Sequence, residues 1–545
     1  MCPKKMNESE PFDEASKTMN RRQNQGPPNL LGEIQKIPDY YLGGDRRKGG
    51  MSFGQAVVRN TRTCRLDDKG EIQEKGLLKN ESTDARHRDG ATRSSDEGRE
   101  SVWSKGVASS SRTTGSTLRE EEPGRKTKPF CICKWDINHA FQQVRKKGKA
   151  PGVDGQTIEN FESKLRVNQY RLWNRMSSGS YFPPPVRRQE IPKSDGKRRV
   201  LGIPTISDRI AQSVVKMHLE AATDKYFHKD SFGYRPGKSA HEALGVTRKR
   251  CWKFDWVIDL DIKGFFDNLD WNLVMDFVKK YTDSEWILLY VQRWLEAPIQ
   301  LENGELQQRT KGSPQGGVIS PLMANIFLHE VFDMWMTRKY PKNPFERYAD
   351  DIVVHCNSFS EAHDLCEAIK RRLQEYKLEV HPTKTKIVYC KDDNRNSDYK
   401  VVKFDFLGFT FRPRQSKNRH GYYFLNFTPG VSQKASKHMR NVMRSWLFHK
   451  RSDLSIEELA EYCNRRLTGW INYYGKYNRS ALYNIFVCLN RILMKWARRK
   501  YKRLKKHKSR TTNWLCRIAK DSPKLFAHWH LLKMRPGLDD GSRMS

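Results

Sequence analysis

The chain has 545 residues, with 101 Lys and Arg against 63 Asp and Glu, a formal net charge of +38. That balance favours a polyanionic partner. A mean hydropathy of −0.83, with no apolar run near the ~18 residues of a membrane span, argues against a transmembrane helix. The start, MCPKKMNESE, lacks the apolar stretch of a secretory signal. The eleven Cys form no C-x-x-C pair, which argues against a disulfide scaffold or a Cys-pair zinc site and for a reducing, cytoplasmic setting. The hydrophobic fraction is only 37%, yet 14 Trp, 21 Tyr and 25 Phe can still build sizeable cores.

Residues 1–125 are rich in Ser, Gly, Arg, Asp and Glu without a sustained apolar period, and read as disordered or low-complexity. They hold 23 Lys and Arg against 20 Asp and Glu, so 126–545 carries +35 and the positive charge belongs to the folded body. Trp135 to Val144 has helical apolar spacing, KKGKAPGVDG is a basic Gly/Pro loop, and 160–176 is helical again. PPPVRRQEIPKSDGKRRVLGIPT, at 183–205, predicts two short strands joined by a basic Asp-Gly turn. Asp208 to Ala222 reads as a helix with Asp208 near its N-cap. From 254 to 410 strands and helices mix; 430–505 is mostly helical and strongly basic. No internal repeat is visible.

Five aspartates stand between Phe254 and Asp270: Asp255, Asp259, Asp261, Asp267 and Asp270. In WVIDLDIKGFFDNLDW, strand alternation sets Val257, Asp259 and Asp261 on one face and Ile258, Leu260 and Ile262 on the other. A second acidic element is RYADDIVVHC, read as strand, turn and strand with Asp350 and Asp351 at the tip. Alone, such a pair is most often just a turn. Two carboxylate-bearing strands together can hold two divalent cations about 3.5–4 Å apart, a pairing suited to phosphoryl transfer. Hard oxygen ligands favour magnesium. Between these elements KGSPQGGVISPLMANIFLHEVFD carries Gly312, Gly316 and Gly317, which allow close backbone approach. Gln315 is a polar handle there, and Ser320-Pro321 reads as N-cap and first position of a helix. The Gly-Lys-Ser/Thr spacing of a Walker A loop is missing.

DIKGFFD, GSPQGGVISPLMANIFL and YADD, in this order and spacing, resemble motifs A, B and C of reverse transcriptases, most closely those encoded by group II introns. KAPGVDG (149–155) resembles that family's N-terminal extension and IPKSDGKRRVLGIPTISDRIAQ (191–212) its fingers block. LEVHPTKTK (378–386) looks like motif D, and FDFLGFTFRPR (404–414) is similar to the primer-grip region. The resemblance spans roughly 130–505. It implies an α+β right-hand polymerase, with fingers and palm built on an RRM-like antiparallel sheet plus helices, followed by an α-helical thumb or maturase domain. The implied division is 1–125 disordered extension, 126–250 N-terminal extension and fingers, 251–425 palm, 426–505 thumb, and 506–545 basic tail.

By the same resemblance Asp261, Asp350 and Asp351 would be catalytic and, with Ile262, would hold two magnesium ions. Phe266 would be the aromatic gate against a ribose 2′-hydroxyl. Lys193, Arg198 and Arg199 would meet the incoming triphosphate, Gln315 would pack against the nucleotide, and Lys384 would help the leaving pyrophosphate. The implied partners are dNTPs, an RNA template with a DNA primer, intron RNA and target DNA, with no membrane; a dimer stays open.

After residue 446 the chain resembles the maturase thumb, most clearly in RLTGWINYYG. Residues 491–510 are dense in Lys and Arg and hold no acid. Arg465, Arg466, Lys476, Arg499, Lys500 and Arg503 are the candidate RNA contacts. The stripe of Trp470, Tyr473, Tyr474 and Tyr477 reads as helix core more readily than as a base platform. Many relatives end in an HNH-type endonuclease with Cys pairs; Cys488 and Cys516 are unpaired in sequence, so such a domain is not expected. DNA insertion would then need a primer from elsewhere, such as a replication fork. The alternatives are an RNA-binding splicing cofactor with a vestigial polymerase, which the intact carboxylates and Phe266 oppose, and a reverse transcriptase in phage defence, which the maturase-like thumb opposes.

Overall fold

The computed structural model describes residues 128–147, 150–192 and 198–532. The expectations for 1–125, for Lys193 and for 533–545 lie outside these residues. The first elements are α1 (Lys134–Lys147), α2 (Ile158–Ser163), α3 (Leu165–Ser177), β1 (Val186–Pro192), β2 (Arg198–Ile203), α4 (Ile206–Thr223) and α5 (Ala240–Cys251). Next come β3 (Trp256–Asp261), α6 (Trp271–Lys279), α7 (Glu285–Glu296), β4 (Ile299–Gln300), β5 (Leu306–Gln307), α8 (Ser320–Leu328) and α9 (Met334–Lys339). They are followed by β6 (Phe345–Tyr348), β7 (Asp351–Cys356), α10 (Phe359–Glu375), β8 (Lys386–Tyr389), β9 (Phe404–Phe406), β10 (Phe409–Lys417) and β11 (Tyr423–Val431). Among the described residues α11 (Gln433–Ser445), α12 (Ile456–Tyr474), α13 (Tyr483–Lys500), α14 (Lys508–Asp521) and α15 (Trp529–Leu532) come last.

Three sheets organise the body: β2-β1-β4-β5, β6-β7-β3-β8 and β11-β10-β9. In the second, every pairing is antiparallel. Its central strand β3 buries both faces over most of its length. Trp256, Ile258 and Leu260 enter the main core with Ile352 and Val354. Val257, with Val353 and Val388, packs against α5 and the phenylalanines of β9–β11. Only the last positions, Asp259 and Asp261, interrupt this apolar filling, so the carboxylates stand at one end of a rigid strand. The closing helices have their own core around Leu467, Leu489, Leu493 and Trp496. α12 starts at a capping box of Ser455 and Glu458. Its far end seats against the palm, where Tyr473 Oη donates to Leu407 O at 2.9 Å.

Several expectations need correction. The helix expected over 160–176 is two helices broken at Lys164. The N-cap of α4 is Thr205, whose Oγ1 accepts from Asp208 N at 3.2 Å, so Asp208 lies inside the first turn and is buried. Ser320 is the first residue of α8, not its cap; the cap position is Ile319. Strands β4 and β5 lie within 251–425 yet join the sheet of β1 and β2, because β4 pairs parallel with Val186 and Arg187. α5, expected with the fingers, packs on the palm sheet. The expected basic tail is folded through Leu532: Leu515, Ala519, Phe526, Trp529 and Leu532 join the thumb core. A dense cation run hid this helical apolar period.

Candidate active site

The register of β3 and β7 sets Asp261 directly opposite Asp351. Asp350 occupies the turn between β6 and β7, after Ala349 at φ +58. This left-handed residue is held from both sides. Gly233 packs so closely that a Cβ there would lie 2.3 Å from Ala349 N. Behind the turn, Arg347 is completely buried. Its Nη1 donates to Ala349 O at 3.2 Å and to Asn325 Oδ1 at 2.9 Å. Its Nε and Nη2 donate to Asp333 Oδ1 and Oδ2 at 2.8 and 2.6 Å. A buried guanidinium is tolerated because every contact is paired.

Like charges facing one another across a strand pair repel. The Asp350 carboxyl is pushed up by burial and then by Asp261, against the pull of Arg199 and Lys384. Asp351 is pushed up by the protein that displaces water around it, then by Asp350 and Asp261, although part of its surface stays open to solvent. Asp259, two residues from Asp261 on the same face, is pushed up to about 8 by burial first and Asp351 second. Cations offset this. Lys384 Nζ donates to Asp261 Oδ2 at 2.8 Å, and Lys434 of α11 adds attraction at Asp351. The backbone of Asp261 is fixed by Thr385 Oγ1, which accepts from its N–H at 3.3 Å, and by His381 N–H, which donates to its carbonyl at 2.7 Å. The Ile262 side chain is buried and offers no donor atom, leaving only its carbonyl to a metal. Among the described residues no three His, Cys, Asp or Glu side chains are close enough to hold a metal ion as they stand. The donor set itself, hard carboxylate oxygens in mutual repulsion, is of the kind that suits magnesium.

The glycine-rich loop joins this end of the palm to the fingers. Ser313 N–H donates to Phe266 O at 2.8 Å. A Cβ on Gly312, at φ +82, would lie 2.7 Å from Asp267 O. Phe266 is nearly buried, edge-on to Phe265. On the other side Gly202 N–H of β2 donates to Gln315 O at 2.8 Å, and Arg199 Nε donates to Gln315 Oε1 at 2.6 Å. Arg198, its neighbour on the opposite strand face, pairs instead with Glu190 at 2.8 Å. So Arg199 and Gln315 meet each other, and Arg199 and Lys384 both act on Asp350, while Arg198 is engaged elsewhere.

A relay absent from the sequence reading supports the loop. Gln212 Oε1 accepts from Val318 N–H at 2.6 Å and Ile319 N–H at 3.3 Å. Its Nε2 donates to Asp208 Oδ2 at 2.9 Å. Asp208 also accepts from Tyr181 Oη at 2.9 Å and Trp294 Nε1 at 2.6 Å. Burial pushes its carboxyl up to about 6 against these donors. The available signal was two polar residues four apart inside an apolar helix. Arg347 gave a similar signal, a lone cation in a strand. Lys434 gave none.

In the closing helices Arg465, Arg466, Lys476, Arg499 and Arg503 are exposed and Lys500 is half-buried. Lys500 Nζ donates to Leu454 O at 2.7 Å and Arg499 Nη1 to His449 O at 3.2 Å, so both also fasten the loop before α12. Trp470 and Tyr473 are buried, as helix core.

The family described as reverse transcriptase (RNA-dependent DNA polymerase) matches residues 191–411. The group II intron, maturase-specific domain matches 436–514. The chain thus carries a reverse transcriptase domain followed by a group II intron maturase-specific domain. Protein YkfC of Escherichia coli (strain K12) is 36% identical over 217 residues, 38% of this chain and 55% of that protein. Group II intron-encoded protein LtrA of Lactococcus lactis subsp. cremoris is 31% identical over 242 residues, 43% of this chain and 38% of LtrA. The matched stretch thus spans about half or less of these relatives. A solved telomerase from Candida albicans aligns over 69% of this chain and 68% of its own, at 12% identity and a TM-score of 0.36. Among the described residues no helix is long and apolar enough to cross a membrane.

Proposed function

We propose that this chain is a group II intron-encoded reverse transcriptase that copies RNA into DNA at the end of β3 and β7, and that its closing helices bind the intron RNA to assist splicing and mobility. The observation that carries the polymerase reading is the pairing of Asp261 with Asp351, with Asp350 in the adjoining turn. Their mutual repulsion is the electrostatic setting that a bound cation relieves. Asp261, Asp350, Asp351 and the Ile262 carbonyl would hold magnesium; two such ions when bound supply activation of the primer 3′-hydroxyl and neutralisation of the leaving pyrophosphate.

The chain's own residues do the rest. Arg199, released from Gln315, places a guanidinium on the incoming triphosphate, where a fork of donors matches phosphate oxygens. Lys384, which donates to Asp261 at 2.8 Å, turns to the leaving phosphate. Phe266 crowds the position of a ribose 2′-hydroxyl and so favours dNTPs. Gly312 and Gly316 let the loop lie flat between motif A and β2. Lys193 and Arg198 extend the cationic fingers, and Arg465, Arg466, Lys476, Arg499, Lys500 and Arg503 provide phosphate contacts on the thumb. Target DNA is a substrate of the mobility step.

The full chain with poly(rA) annealed to oligo(dT), dTTP and magnesium tests the first half. Incorporation that needs both template and metal is expected; none under any divalent cation would refute it. Retention of a group II intron transcript and faster splicing on addition of protein tests the second.

A further inference from the structure

The β10–β11 hairpin is longer than the sheet that supports it. Its register runs from Phe409 opposite Val431 out to Lys417 opposite Tyr423. β9 pairs only with Phe409, Thr410 and Phe411. Phe409, Phe411 and Phe427 are buried at this inner end. Beyond it the hairpin continues as a two-stranded arm whose surface opens steadily to solvent. Near its middle the arm is tied to the body, where Asp393 N–H donates to Leu425 O at 3.3 Å.

At the tip stand three consecutive rings: Tyr422 is 74% exposed, Tyr423 69% and Phe424 36%. The tip is ordered. Asn418 Oδ1 accepts from His420 N–H at 2.9 Å and Tyr422 N–H at 3.0 Å, and Gly421 takes φ +92. Lys417 Nζ lies 5.3 Å from the Tyr423 ring centroid, and Arg419 and His420 are exposed beside it. From Phe406 to Ser452 the chain contains no Asp or Glu. An isolated two-stranded ribbon is marginal in water, and Tyr422 and Tyr423 at its end stay mostly exposed, so they gain little for the fold.

Cations without acids recognise a polyanion; planar rings presented among them recognise bases free to stack. Duplexes hide their base faces, whereas loops and bulges of a folded RNA splay them out. We propose that the arm tip, Tyr422, Tyr423 and Phe424 with Lys417 and Arg419, is a stacking platform for unpaired bases of the bound RNA. This rests on the polymerase and maturase reading above and adds a contact outside the catalytic cleft and the thumb.

The test uses the full chain and two RNAs of equal length, a stem with an unpaired loop of about ten nucleotides, within the span such platforms bind, and the same stem fully paired. Y422A/Y423A should weaken binding to the looped RNA about tenfold or more and leave the paired stem unchanged, with Y422F/Y423F retaining wild-type affinity. K417A/R419A should weaken both RNAs alike and lower the salt slope by about two. Equal weakening of both RNAs by Y422A/Y423A, or none, would overturn the platform while leaving the polymerase reading standing. Wild-type protein that binds neither RNA would overturn both. Capture of anionic lipid vesicles through the tyrosines, with RNA binding intact in the variant, would also overturn it.

Discussion

Replacing Gln212 by Leu separates the relay behind the glycine-rich loop from ordinary packing. Leucine keeps most of the volume but removes the acceptor for Val318 N–H at 2.6 Å and Ile319 N–H at 3.3 Å. Gln212 and Ile319 are buried, at 4% and 1% exposure, and Val318 is half-buried, so water replaces that acceptor only in part. A stranded buried N–H costs about 1–3 kcal/mol. The shorter bond carries most of the loss and the longer one little, so the total is roughly 1–3 kcal/mol. Asp208 loses one donor and keeps Tyr181 and Trp294. Part of this cost should appear as a lower melting temperature. The rest should let residues 315–319 relax, displacing Gln315 and with it the partner of Arg199. If about 1.4 kcal/mol reaches the nucleotide pocket, KM for dTTP rises about tenfold. Steady-state incorporation on poly(rA)/oligo(dT), read as kcat and KM separately, measures it. A lower melting temperature with unchanged KM would show that these bonds serve the fold alone.

Three further outcomes are expected. Asp208 is raised to about 6, above its unfolded value, so the native state holds the proton more tightly and stability falls as pH rises from about 4 to about 6. Near 1.4 kcal/mol per unit, the wild-type stability relative to Asp208→Asn should drop by roughly 3 kcal/mol over that window in denaturant titrations, and a flat difference would contradict it. Phe266→Val should narrow the preference for dNTPs over rNTPs by about a hundredfold, the scale on which a shaped apolar pocket rejects an added hydroxyl; an unchanged kcat/KM ratio would remove the gate. Gly316→Ala places a Cβ 2.5 Å from Gly202 O at φ +127. Backbone strain of about 1–3 kcal/mol should lower the melting temperature, and a variant as stable as wild type would show that the loop has room to move.

Much of the acidic end of β3 and β7 was legible because short-range rules govern it. Alternation along WVIDLDI fixed the face of Asp259 and Asp261, and the Asp-Asp pair marked the turn. What stayed hidden depends on residues distant in sequence. The contact of Arg347 with Ala349 needs Asp333 and Asn325 beside it, and the role of Gln212 needs the loop more than a hundred residues later. The membership of β4 and β5 in the fingers sheet comes from a parallel pairing that local pattern does not encode. The folded segment after Lys508 was masked by charge, since its cations face solvent while Leu515, Phe526 and Trp529 fill the thumb core.

The central claim is that the three aspartates perform the chemistry and the basic surfaces hold the RNA. Asp350→Ala/Asp351→Ala, assayed in parallel for cDNA synthesis and RNA affinity, tests it most directly. Loss of incorporation to background with RNA affinity within about twofold of wild type is expected; at 1.4 kcal/mol per tenfold, twofold is below half a kcal/mol. Continued cDNA synthesis by a variant that remains folded would contradict the assignment.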